Sequence, residues 1–258
     1  MRFYVDSFDG ALPGSPNTSG VGPRQTPPDT TLATNAFDYA SPLLAFLNTD
    51  VLLNRARRQE LTRLGVFKCP ANSQQAEPWT GWQSIPDAAD FTTTQAASYL
   101  TSWNFLLAGD AYAGTDIVPT VPYWLYSAGW TEVLPKDYLP KIAKIGLPSQ
   151  KIFLADAARY VDNNDRFTYD IGYGFFGAGS YSGSGAWWIG SREYGQNSNA
   201  ADYSYRHNDG LAAAFYDGHC EYIPRDQSHR AVYWYPRGTV LRDASQGAGG
   251  EPDGYVVP

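Results

Sequence analysis

Alternation of apolar and polar positions is clearest near the C-terminal end of the chain. Leu211 to Tyr216 and His219 to Ile223 flank Asp217-Gly218, a dipeptide that suits a two-residue type I′ hairpin because both turn positions need positive φ. That loop sets Tyr216 opposite His219, Phe215 opposite Cys220 and Ala213 opposite Tyr222. Leu211, Ala213, Phe215, Cys220 and Tyr222 then share one apolar face, with His219 and Glu221 on the other. Lys151-Ile152-Phe153-Leu154-Ala155-Asp156 reads as a further strand. So does the stretch from Ala97 to Leu107, with Tyr99, Trp103 and Phe105 on alternate positions. Val66-Phe67-Lys68-Cys69 is a short strand closed by Pro70.

Helical signals are fewer. Phe3, Tyr4 and Phe8 recur at helical spacing before Gly10, where a C-cap glycine would stand. A helix over residues 1–9 is about two and a half turns, marginal in isolation, and makes better sense as the end of a longer one. Ser41-Pro42 supplies an N-cap and N1 pair for a short helix through Leu47. Val51 to Leu64 forms a second helix, stopped by Gly65. Between these elements lie loops over 11–35, 70–96 and 172–190. Residues 110–140 are a proline-punctuated excursion with short edge strands.

Composition supports a loop-rich, strand-rich domain. Of 258 residues, 17% are charged, 15% are aromatic, 25 are Gly and 18 are Pro, whereas long helices would bring more Ala, Leu, Glu and Lys. The length allows one large domain, and we read residues 1–258 as one, with 225–258 as a C-terminal extension. A net charge of -7 repels phosphate backbones and argues against nucleic acid as a partner. No apolar run approaches the ~18 residues needed to span a bilayer, and Met1 is followed by no signal-peptide pattern.

Several residues invite a chemical reading. His207 with Asp217 could form a base and its orienting partner, yet no serine or cysteine sits in a nucleophile-elbow context, and Asp217 is explained by the turn. A structural role for His207, hydrogen-bonding across the hairpin base, is therefore the expectation. His207, Asp209, Asp217 and His219 together would give imidazole and carboxylate ligands of the kind zinc takes. Asp162, Asn164 and Asp165 offer calcium-type oxygens but lack EF-hand spacing, so an Asx-rich turn is the simpler reading. Trp187 and Trp188 could stack on sugar rings, although most tryptophans serve packing. Cys69 and Cys220 read as two small buried hydrophobes or as one disulfide.

Arg206-His207, nine intervening residues and Asp217-Gly218-His219 resemble the His-x(9)-Asp-Gly signature of prepilin-type processing-associated proteins, relatives of the type II secretion pseudopilin G group. Other pieces resemble the same family in the same order. They are Phe3-Tyr4-Val5-Asp6-Ser7-Phe8-Asp9-Gly10 with Leu12-Pro13, Val66-Phe67-Lys68-Cys69-Pro70, Ser98-Tyr99 followed by Asn104, and Pro148-Ser149-Gln150-Lys151 leading to Leu154-Ala155-Asp156. The resemblance spans roughly residues 1–225.

It implies an α+β, pilin-like fold: a truncated N-terminal helix packed on an antiparallel sheet of the 66–69, 97–107, 151–156 and 211–223 strands, with long inserted loops. It further implies a bacterial, non-enzymatic pseudopilin-like or minor-pilin-like subunit of a secretion or pilus-type filament, without cofactor apart from calcium as an option. The native chain would be anchored in the inner membrane through a preceding helix and would face the periplasm or exterior. Its partners would be other pilin-like or secretion-system subunits, or itself. The oxidising setting of that family favours the Cys69–Cys220 bridge. The rival expectation is a secreted, aromatic-rich carbohydrate-binding module, and a metal-dependent hydrolase around His207 and Asp217 is a more distant third.

Overall fold

A computed structural model describes residues 2–13, 43, 68–79, 93–95, 98–106, 108–109, 111, 132–156, 167–170, 205–228, 230–241 and 251–258. The expected helices at 41–47 and 51–64 and the loop at 172–190 lie outside these residues, apart from Leu43.

Helix α1 (Arg2–Ser7) is brief, and its end is capped by main chain. The Gly10 N–H donates to the Val5 carbonyl at 2.7 Å, the six-to-one bond of a Schellman ending. Two consecutive left-handed residues, Asp9 (φ 50°) and Gly10 (φ 73°), make that return. Tyr4 and Val5 are buried. The chain leaving α1 is tied to the segment before the central strand. Leu12 N donates to Pro140 O at 3.0 Å and Ile142 N to Gly10 O at 2.8 Å, while Asp9 and Lys141 form an exposed ion pair of 2.5 Å.

The main sheet is four-stranded and antiparallel, ordered β3 (Tyr99–Leu100), β5 (Ile152–Asp156), β7 (Gly210–Phe215), β8 (Cys220–Pro224). Ile152 and Ala155, three residues apart, would face opposite sides of a regular strand. The register breaks between Ile152 and Leu154, and this bulge turns both into the same core. That core also holds Leu211, Ala213, Phe215 and Ile223. A mixed sheet joins β1 (Gln75–Trp79) antiparallel to β2 (Thr94–Gln95) and parallel to β6 (Phe167–Asp170). A two-stranded ribbon pairs β4 (Glu132–Val133) with β9 (Val240–Leu241). The architecture is thus mixed α and β, dominated by strands among the described residues.

Several expectations need correction. Residues 68–69 are not strand but lead into a turn at Pro70, which Pro70 favours by fixing φ. In the 97–107 stretch only Tyr99–Leu100 is strand, and Trp103–Phe105 is a 3-10 turn. There the buried Ser102 and Asn104 side chains donate to the Trp234 carbonyl, Ser102 at 2.9 Å. Residues 70–96, expected as loop, contain β1 and β2.

The hairpin stands where expected, with a different register. Ala214 pairs with Cys220, Ala213 with Glu221, Ala212 with Tyr222 and Leu211 with Ile223. Phe215 N donates to His219 O and Gly218 N to Phe215 O, so the loop has three residues, with Gly218 at φ 99° in the left-handed position. A one-residue slip exchanges the faces of a strand. Ile223 therefore enters the core, and Cys220 and Tyr222 turn outward.

The C-terminal segment belongs to the core instead of extending from it. Helix α2 (Ala231–Trp234), a single turn, brings Ala231, Trp234 and Tyr235 into the same cluster as Leu211 and Phe215, joined by Leu241 and Val257. The Trp234 indole N–H donates to Ser228 O at 2.5 Å, satisfying the one polar atom that a buried indole carries.

Candidate functional site

The main sheet ends at a buried carboxylate. Asp156, the last residue of β5, is fully buried. Its Oδ1 accepts from Arg206 Nη2 at 2.8 Å and its Oδ2 from the Ala212 N–H at 2.7 Å. Arg206 Nη2 also donates to the Ser98 carbonyl. Burying an isolated charge in a protein is costly, so a guanidinium and a backbone donor on one carboxylate are what make this position tenable.

His207 and Cys69 complete the group. His207 Nε2 lies 3.5 Å from Asp156 Oδ2 and 3.2 Å from Cys69 Sγ. Cys69 is buried, held by a turn in which Asn72 N donates to Cys69 O at 3.0 Å. Gln95 Nε2 clamps that turn by donating to Asn72 O at 2.5 Å and Cys69 O at 3.3 Å, and Asn72 Nδ2 donates to Ser98 Oγ at 3.0 Å. Burial, then the nearby Cys69 and Asp156, push the Tyr99 phenol above its ordinary range.

Local backbone chemistry places His207. Asn208 (φ 52°) and Asp209 (φ 57°) are both left-handed, a conformation their short polar side chains tolerate. They fold His207 back so that Gly210 N donates to His207 O at 3.1 Å. The Tyr222 ring lies across Gly210, where a Cβ would have to push it aside. The Tyr222 hydroxyl donates to Asn208 O at 2.8 Å.

The two halves of the His-x(9)-Asp-Gly motif are therefore apart. Arg206 and His207 precede β7, and Asp217, Gly218 and His219 follow it. Six strand residues separate the two ends by roughly 20 Å. At the tip, Asp217 Oδ1 accepts from the His219 N–H at 3.1 Å and contacts His219 Nδ1 at 2.6 Å. The backbone bond from His219 leads in holding the Asp217 carboxyl below its usual range. The His219 ring stacks on Phe215 at 4.2 Å, as cross-strand neighbours do.

This arrangement corrects two expectations, the role of His207 and the cysteine bridge, and leaves two set-aside alternatives without support. His207 reaches toward β5 and Cys69 instead of across the hairpin base. Asp217 does not orient His207. The four-ligand set of His207, Asp209, Asp217 and His219 is not gathered, since Asp209 instead pairs with Arg225 at 3.3 Å. Cys69 and Cys220 are both free, one buried and one exposed, because the hairpin register turns Cys220 away from the core. Asp162, Asn164, Asp165, Trp187 and Trp188 lie outside the described residues.

Chemically, the group is poorly arranged for proton relay. A nucleophile–histidine–carboxylate relay needs the carboxylate on one imidazole nitrogen and the nucleophile on the other, whereas here Cys69 and Asp156 both approach Nε2. It does present a thiol, an imidazole nitrogen and a carboxylate oxygen within 4.8 Å of one another. Asp156 is the residue that sequence reasoning left out of the site. Its signal was a charged residue closing the apolar Ile152–Ala155 run. No family model matches the chain, and neither a curated protein nor a solved structure matches it.

Proposed function

We propose that the chain is a non-enzymatic, pilin-type structural subunit that acts outside the cytoplasm and assembles with itself or with other pilin-like subunits. One observation carries this reading. Four of the segments that bear the family resemblance, around Cys69, Ser98-Tyr99, Asp156 and Arg206-His207, are linked through Arg206 and His207 around the buried Asp156 carboxylate. The cluster braces the end of the main sheet, with each Asp156 oxygen bonded to protein donors. An antiparallel sheet preceded by a capped helix is compatible with that role. Among the described residues, no helix is long and apolar enough to cross a membrane.

The test is to shear surface filaments from cells carrying the native gene and probe the fractions with antibody to the chain, alongside a glycan array. Recovery in the filament fraction, or cross-linked to pilin-like subunits, is the expected result. Recovery only as free monomer, with glycan binding lost in Trp187→Ala or Trp188→Ala, would replace this reading with the carbohydrate-binding one.

A further inference from the structure

We propose that Cys69, Asp156 and His207 form a binding site for a divalent metal ion, with zinc the ion that the donor set suits. The three residues come from separate parts of the chain, 138 positions apart between Cys69 and His207. They converge through one donor atom each: Cys69 Sγ, His207 Nε2 and an Asp156 carboxylate oxygen. A tetrahedral ion with bonds of about 2.3 Å to sulfur and about 2.0 Å to nitrogen and oxygen holds its donors roughly 3.3–3.5 Å apart. The contacts of 3.2 Å between Sγ and Nε2 and 3.5 Å between Nε2 and Oδ2 fall close to that spacing.

The donor chemistry selects the ion. A thiolate and an imidazole are soft-to-borderline ligands that favour zinc over calcium or magnesium, which prefer six or more oxygens. The support around the ligands is also in place. Arg206 fixes Oδ1 and the Ala212 N–H fixes Oδ2, leaving one lone pair on Oδ2 for coordination. Outer contacts of this kind orient metal-binding carboxylates. Cys69 and Asp156 are buried while His207 keeps 38% of its side-chain surface open, so the fourth position falls to water on the His207 side. Binding displaces the thiol proton to solvent. This inference stands independently of the filament reading.

The test is a cobalt(II) titration of the full chain after chelator treatment. The expected result is an equimolar thiolate-to-cobalt charge-transfer absorption that zinc(II) displaces, retained in Cys220→Ser and His219→Ala and lost in Cys69→Ser and His207→Gln. Because the last two variants could fail to fold, the Cys220→Ser protein decides the matter: Cys69 is then the sole thiol. Charge transfer in that protein sustains the site. Its absence there, or a wild-type signal carried by Cys220, overturns it.

Discussion

Lys151 offers a test of burial through pH. Its side chain is fully buried, and its ammonium donates to the Pro258 main-chain oxygen at 3.0 Å. Burial lowers its pKa from 10.5 to about 7. Between those values the unfolded chain binds a proton that the folded chain does not, so stability rises with pH across that window. At about 1.4 kcal/mol per pH unit, the rise from about pH 7 to pH 10 approaches roughly 4 kcal/mol. Below the folded value both states carry the charge, and the cost of burying it is felt in full. Lys151→Met removes the proton and keeps most of the volume. Urea denaturation of both proteins across this window should show their stability difference narrowing as pH rises, with the variant the more stable at the acid end. Other titrating groups, the tyrosines included, cancel in the difference. Parallel curves would refute the reasoning.

Trp234→Ala should cost about 3–5 kcal/mol in chemical denaturation, because it empties the core and removes the donor to Ser228. A cost under about 1 kcal/mol would make residues 225–258 a true appendage. Gly109→Ala should destabilise by about 2–3 kcal/mol, measured the same way, since a Cβ there would meet the Pro135 and Lys136 carbonyl oxygens, which are backbone and yield poorly. A thiol reagent should modify Cys220 rapidly in the folded protein and Cys69 only on unfolding. Both sulfurs unreactive under denaturing, non-reducing conditions would restore the disulfide.

Much of the main sheet was legible in the sequence, and the reasons for the shortfall are physical. The apolar run 152–154 and the alternation over 211–215 fixed two central strands. Asp217-Gly218 marked the turn from β7 into β8, but it fits both a two-residue loop and a three-residue loop with glycine left-handed. The choice falls to packing. The longer loop buries Ile223, the most apolar residue of β8, opposite Leu211, and that pairing was the available clue. Where strands are two residues long, as in β2, β3, β4 and β9, alternation has no length over which to show itself. The candidate site escaped for a related reason: Cys69, Asp156 and His207 lie far apart in sequence, and the β5–β7 pairing, the Asn208-Asp209 reversal and the turn at Cys69–Asn72 held by Gln95 and Ser98 bring them together.

The account turns on Asp156 as the point where these segments are joined, and a double-mutant cycle with Arg206 measures that directly. Asp156→Asn and Arg206→Met should each cost about 3–5 kcal/mol, because either leaves a buried charge without its partner. The double variant should lose clearly less than the sum, with a coupling on the order of 2 kcal/mol. Two small costs that add to within about 0.5 kcal/mol would contradict a buried junction at this carboxylate.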